Sequence, residues 1–273
     1  MRAAVVGHVE WIEFGRVGHV PVPGEIVHVT ETWEEPAGGG AVAAVQLCKL
    51  AGEATLYTAL GDDEVGHRCK EALEELGLRV EAVFRPEPQR RGFVHVDSTG
   101  ERTITVIGDR LGPRADDPLP WGEMRDIDAV YFTAGDSGTA RAARKAATLV
   151  ATARGLETLA EAGIQLDALV GSSRDPGERY SPGDLDPAPK HVIRTAGAGG
   201  GEWEIPGGES GRWEGTPVPG PISDAYGCGD SFAAGLTYGL GKGLNVQEAA
   251  ELGARCGAAC STGRGPFEGQ LRG

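Results

Sequence analysis

The chain has 273 residues, with 26 Lys or Arg against 40 Asp or Glu, a net charge of −14 and a pI near 4.9. That balance excludes a general nucleic-acid or anionic-membrane surface, so a phosphorylated partner has to be held at a local site. The length suits one large α/β domain with a small insertion, and the 44 glycines follow no repeat period, which excludes collagen-like and low-complexity chains.

In chain order, AAVVGHV (3–9) reads as a buried first strand, and WIEFGRV (11–17) and EIVHVTETW (25–33) as half-exposed strands around the turn GHVPVPGE. GGGAVAAVQLCKLAG (38–52) reads as a helix stopped at Gly52. ATLYTAL follows as a strand, GDDEVG as a loop, and HRCKEALEELG as a helix closed by Gly77. A second alternating pair spans 91–108 with its turn at Ser98–Glu101. Then come a strand in DAVYFTAGD, a helix over TARAARKAATLV, and a second helical piece ending at Gly163. LDALVGSS and KHVIRTAG read as strands, 197–220 as an exposed hairpin and loop, and SFAAGLTYGLGKG and NVQEAAELGARCGAACSTG as two helices.

Strand–helix alternation predicts a mostly parallel sheet covered by helices. The segments 11–33 and 91–108 break it, and predict an accessory sheet built from two insertions. No stretch approaches about 18 uninterrupted apolar residues, and MRAAVVGHVEWIEF fits neither a signal peptide nor a membrane span. The five cysteines form no metal-ligand spacing and read as thiols of a cytoplasmic protein.

The chemistry concentrates in DAYGCGD (224–230), just before a small-residue helix. A glycine-rich turn entering a helix presents bare N–H groups and a positive dipole end to an anion. Gly227 and Gly229 allow close approach. Asp230 is either a helix cap or a proton acceptor beside a phosphoryl group. The alternatives for these glycines fail on pattern: no phosphate-binding G-x-x-x-x-G-K-[ST] occurs, 197–201 lacks a strand-to-helix context, and G-x-S-x-G is absent.

DAYGCGD resembles the D-[TS]-x-G-A-G-D signature of the ribokinase-like (PfkB) carbohydrate kinases. PVPGE (21–25) is similar to that family's P-x-P-G-E, AGGGAVAA (37–44) to P-G-G-x-G-A-N, LGDDEVG (60–66) to G-D-D-x-x-G, and TAGAGG (195–200) to T-x-G-x-x-G. The resemblance covers most of the chain, with the motifs in order. It implies a single domain over 1–273: a three-layer α/β sandwich with a mostly parallel central sheet and a small β-sheet lid, the lid insertions lying at about 11–33 and 91–108.

The resemblance assigns Asp230 as general base and the amides of Gly227, Cys228 and Gly229 as an anion hole. It puts Thr195, Gly197 and Gly200 at the nucleotide-binding turn, and Gly38 and Gly39 against the sugar. Asp224 falls near a monovalent-cation (K⁺) site, with a loop hydrogen-bond anchor as the alternative. Four positions depart from the pattern. Glu10 and Ile12 stand where N-x-D grips sugar hydroxyls, Ala43 replaces the Asn of the glycine motif, Ala225 replaces the signature Thr, and Ser172-Ser173-Arg174-Asp175 with Glu178 stands for N-x-x-E. Glu10 becomes a candidate hydroxyl ligand, or an exposed strand-end acid, and Asp175 a candidate water-mediated Mg²⁺ ligand or a surface acid. Arg102 is either a lid charge within reach of substrate or a plain hairpin charge. The function implied is ATP- and Mg²⁺-dependent phosphorylation of a small sugar or polyol by a cytoplasmic homodimer joined through its lids. A nucleoside kinase and a catalytically silent nucleotide- or sugar-binding protein are the alternatives.

Overall fold

The computed structural model describes residues 1–273. Its strands are β1 (Ala3–Val6), β2 (Glu10–Arg16), β3 (Glu31–Ala37), β4 (Ala54–Gly61), β5 (Arg79–Arg85), β6 (Arg91–Val96), β7 (Arg102–Ile107), β8 (Ala129–Phe132), β9 (Thr148–Thr152), β10 (Ala168–Ser172), β11 (His191–Thr195), β12 (Gly201–Glu204) and β13 (Ser210–Trp213). The α-helices are α1 (Gly39–Ala51), α2 (Glu64–Glu75), α3 (Ser137–Ala143), α4 (Leu156–Ala162), α5 (Cys228–Gly241) and α6 (Val246–Cys260).

Nine strands form the main sheet in the order β13-β12-β11-β10-β9-β8-β1-β4-β5. All pairs from β11 to β5 are parallel, and the β12–β13 hairpin adds an antiparallel edge. Helices cover both faces, because a parallel sheet is apolar on both sides. One face packs with Leu47, Phe232 and Leu236, the other with Met124, Phe132 and Leu159.

At or just beyond the carboxyl ends of the central strands, His8, Thr133, Thr152, Ser172 and Thr195 line one cleft. That cleft lies outside the carboxyl ends of the strands, where an open α/β sheet leaves backbone groups and loops free for a ligand. Gly40 lets α1 start tight against the end of β1. A Cβ there would come within 2.6 Å of the His8 carbonyl oxygen.

The second sheet, in the order β3-β2-β6-β7, is the predicted small sheet. Its central strand β2 pairs antiparallel with β3 and parallel with β6. β2 is not half-exposed, as alternation alone suggests: Trp11, Ile12 and Phe14 are all buried. The reason is tertiary. Phe14 stacks on Trp33 at 5.0 Å and meets the edge of Tyr226 at 5.2 Å, while Trp11 carries the Arg68 guanidinium of α2 at 4.4 Å. Burying a side chain such as Phe14 stabilises by roughly 1.5–3 kcal/mol, so the lid is anchored to the loop holding the signature motif.

Three further readings differ from the structure. The strand expected at 25–33 is irregular until Glu31, then continues through Pro36, which an edge strand tolerates because no ladder bond is lost. The helix expected over TARAARKAATLV ends at Ala143, where Arg144 donates to the carbonyls of Ala146 and Gln165 and pairs with Asp167 at 2.7 Å. TLVAT is instead β9, buried between β8 and β10. β5 escaped notice because its alternation carries charges at Arg79, Glu81 and Arg85 along a sheet edge.

Candidate active site

A cavity of about 980 Å³ runs along the strand ends and is roofed by the β6–β7 turn. On its floor, α5 opens at Gly227, whose φ of 80° places it in the left-handed region that favours glycine. The amides of Gly227, Cys228, Gly229 and Asp230 donate to no acceptor in the protein, as the first turn of a helix requires. These donors face the cavity, and a Cβ on Gly229 would meet nothing within 4 Å.

Asp230 lies in the first turn and makes no capping hydrogen bond; the N-cap is Gly227. Its carboxylate lines the cavity beside Gly39. Burial, reinforced by the negative charge of Glu178 and opposed by Arg102 and Arg154, pushes its pKa up to about 6. A carboxylate held near neutrality is tuned for accepting a proton.

Tyr226 ties two loops together: the Gly38 N–H donates to its hydroxyl at 3.3 Å. Gly38 sits behind Gly39, which lines the cavity. Glu10 does not line it. Glu10 is buried and ion-paired with Arg90 at 2.7 Å, and burial raises its pKa against the pull of Arg90 and Arg110. Ile12 and Ala43 are both fully buried in apolar packing, so the positions where the resemblance expects sugar-gripping polar groups carry none.

At the other end, Thr195 closes β11, and Gly197–Gly199 form a short 3-10 turn. Thr195, Gly197 and Gly200 all line the cavity. Gly200 is required for packing as well: a Cβ there would lie 2.1 Å from the Trp213 carbonyl oxygen. Arg174 approaches the same turn, its Nη1 lying 3.0 Å from the Cβ position of Gly197.

Asp175 and Glu178 are both held by Arg154, Glu178 at 2.7 Å. Asp175 also accepts from the Gly177 N–H, and Glu178 from the Ser172 N–H at 2.7 Å. Of the two, Glu178 acts on Asp230. No three Asp, Glu, His or Cys side chains form a metal cage. The donor set suits a Mg²⁺ that arrives on nucleotide phosphates and keeps most of its waters.

Asp224 is fully buried, and its two oxygens accept from the Tyr226 N–H at 2.8 Å and the Gly265 N–H at 3.1 Å. This is anchor geometry for the signature loop. Beside it stands Glu35, unnoticed in the sequence because it lies on a lid strand far along the chain. Its buried Oε2 has no partner, and burial, with Asp224 and Glu268 adding to it and Arg264 opposing, pushes its pKa up to about 7. All five cysteines are free thiols.

A sequence model of the pfkB family of carbohydrate kinases matches residues 2–169 and 140–270. The chain belongs to this family. As a pfkB-family carbohydrate kinase it transfers a phosphoryl group from ATP to a sugar hydroxyl. It is similar to a protein of Halopiger xanaduensis named ATP-dependent ribose-1-phosphate kinase, 27% identical over 279 residues that span 94% of this chain and 91% of the relative. In fold it is similar to the ribokinase of Cryptococcus neoformans in complex with ADP, at 22% identity and a TM-score of 0.77 over 99% of this chain and 97% of that one. The Arabidopsis thaliana ribokinase complexed with ribose and ATP gives 19% identity and a TM-score of 0.73, over 99% and 95%.

Proposed function

We propose that this kinase acts on a small furanose-type sugar, with Asp230 as general base and the amides of Gly227, Cys228 and Gly229 as the anion hole. The observation that carries this reading is the raised, uncapped carboxylate of Asp230 beside amides that no protein group satisfies. The acceptor hydroxyl lies beside Gly39 and within reach of Asp230. Asp230 takes its proton as the oxygen attacks the γ-phosphorus and the bond to ADP breaks. The free amides receive the charge spread over the transferring phosphoryl oxygens. Thr195, Gly197 and Gly200 hold the nucleotide, and Gly38 and Gly39 form the sugar wall, with Glu10 keeping Arg90 in place behind it.

Mg²⁺ bound on the nucleotide would supply charge neutralisation, and Glu178 and Asp175 are the acids that would hold it through water. A monovalent cation such as K⁺ beside Asp224 would balance the paired buried carboxylates of Asp224 and Glu35. We further propose that the chain is one domain with lid insertions at about 11–33 and 91–108, and a homodimer joined through the lids. All of β7 is exposed on the free edge of the lid sheet, and Ile104, Val106 and Ile107 are 42, 43 and 50% exposed. An open apolar edge is an aggregation hazard unless a second strand covers it. No helix is long and apolar enough to cross a membrane, and we place the enzyme in the cytoplasm, where ATP is plentiful.

The test is ADP release with ATP–Mg²⁺ against a panel of sugars, polyols and nucleosides. Acceptor-dependent ADP release with a pentose supports the reading. Nucleotide binding without ADP release for any acceptor points to the silent binding protein, and preference for a nucleoside to the nucleoside kinase.

A further inference from the structure

The head of α5 carries a thiol that phosphoryl transfer as described does not use. Cys228 is the first residue of that helix and lines the cavity, where the signature pattern has Ala. Cys260 is the last residue of α6 and is fully buried. Glycines let the two helices approach closely. A Cβ on Gly253 would come within 2.7 Å of the Phe232 carbonyl oxygen, and one on Gly257 within 3.0 Å of the Cys228 carbonyl oxygen. Gly257 is one turn from Cys260, so the start of α5 meets the end of α6. There Cys260 Sγ lies 3.5 Å from the carbonyl oxygens of Tyr226 and Pro266, against the signature loop. The Cys228 and Cys260 side chains complete the contact with a hydrogen bond to each other.

This pair differs from the other three thiols. Burial pushes Cys48 up, and Cys69 and Cys256 up to about 12, which leaves them inert. In the pair, the hydrogen bond from Cys228, opposed by burial and helped by Ser231, lowers the Cys260 thiol, while the same bond raises Cys228. The two sulfurs thus hold one proton between them, and the pair as a whole carries thiolate character. Cys228 is the member that a small reagent reaches, because it stands on the cavity floor and is only half-buried. Cys260 is reached only through it.

We infer that Cys228 and Cys260 are a modification site, forming a reversible disulfide on the floor of the cleft that lets a peroxide stop nucleotide binding. The bond rests on the placement of the two thiols; its effect on the nucleotide rests on the anion-hole reading of α5. Cys228 Sγ attacks one peroxide oxygen as its proton passes to Cys260. The S–O bond forms, the O–O bond breaks and hydroxide leaves, giving a sulfenic acid. Cys260 Sγ then attacks the Cys228 sulfur, the S–O bond breaks, and the departing hydroxide takes the Cys260 proton to leave as water. The thiols give up two electrons, one for each sulfur, and both peroxide oxygens are reduced. Closure draws the sulfurs from hydrogen-bonding separation to about 2.05 Å. The pull acts on the residue whose N–H stands between those of Gly227 and Gly229, and a misplacement of about 1 Å in such a site costs on the order of 10²-fold. A dithiol reductant reverses the bond, as suits a transient disulfide in a reducing compartment.

The full chain is treated with hydrogen peroxide, alkylated under denaturing conditions, and mapped by peptide mass spectrometry. ATP binding is measured calorimetrically before treatment, after it, and after a dithiol reductant. A linked peptide pair holding Cys228 and Cys260 is expected, with Cys48, Cys69 and Cys256 alkylated. The Kd for ATP is expected to rise about 10-fold or more and to return on reduction. In C228A, compared with its own untreated sample and checked for folding by thermal melting, peroxide is expected to leave the Kd unmoved. The absence of a Cys228–Cys260 link, a link to Cys256 in its place, a loss that the reductant does not reverse, or an equal loss in C228A would each overturn the inference. The two readings fail separately. A reversible Cys228–Cys260 link with unchanged ATP binding keeps the disulfide and removes the anion hole from the head of α5. ADP release by a protein that forms no link keeps the kinase and removes the disulfide.

Discussion

Asp230 and Gly39 are in contact across the floor of the cleft, so closely that a methyl group on Gly39 would come within 2.9 Å of the carboxylate Oδ1. The contact joins the start of α1, where the sugar wall is proposed, to the start of α5, where the phosphoryl group is. It also separates two reasons for a glycine. Gly39 has no left-handed φ to protect and opens a helix, so alanine there suits the backbone.

Gly39→Ala is therefore expected to keep or slightly raise the melting temperature while lowering kcat/KM about 10-fold or more, because the added methyl displaces the base or the acceptor. Steady-state kinetics alongside thermal melting checks this. Wild-type kcat/KM in a folded variant would remove the acceptor from this contact.

Asp230→Asn is expected to lower kcat by about 10²–10⁴-fold with little change in ATP affinity. In the wild type, the base is competent only when unprotonated, so kcat should rise as pH climbs through about 6, the value at which burial and Glu178 hold Asp230. Glu178→Gln removes the negative charge that helps hold the value up, and should move that rise to lower pH. A pH–rate profile with no inflection between pH 5 and 7 would count against Asp230 as the base.

Gly229→Val puts a branched side chain into open space above the free amides. The substitution leaves the packing alone, so the protein should fold while KM for ATP rises and kcat falls together. Calorimetric ATP binding at wild-type strength would show that phosphate does not sit there.

Glu35 gives a stability prediction whose sign follows from burial. Its folded pKa, pushed up to about 7, lies above the ordinary glutamate value of 4.5. Between those values the folded state binds more protons than the unfolded state, so this group makes stability fall as pH rises from about 4.5 to about 7. Glu35→Gln should flatten that part of the profile. Added K⁺ should stabilise the wild type above pH 7 more than the variant, if a cation balances Glu35 and Asp224 as proposed. Melting curves across pH 5–8 in KCl and in a bulky-cation salt measure both.

The lid edge is tested by Ile104→Glu. A charge in the middle of exposed β7 should convert a dimer to a monomer without unfolding the protein, since Ile104 is 42% exposed. Sedimentation at micromolar concentration reads the outcome, and a wild-type monomer would dispose of the lid dimer.

Much of this protein is written in short-range pattern. The alternation of strands and helices, the glycines at the heads of α1 and α5, and the two alternating insertions are all visible within windows of a few residues, because backbone periodicity and left-handed turns are local matters. From them follow the parallel sheet, the separate small sheet and the place of Asp230 at a helix start. The order of five motifs, which names the family, is equally a property of the chain.

Folding alone decided what each charge meets. Glu10 reads as a free acid near the sugar, but Arg90, 80 positions away, takes it. Glu35 passes unnoticed in the sequence and stands out only once Asp224 is packed beside it. β2 is buried on both faces because Tyr226 and Arg68 come to it from distant elements. Electrostatic energy and burial depend on every group within several ångströms, whatever its place in the chain, so pairing and pKa emerge only when the elements are brought together.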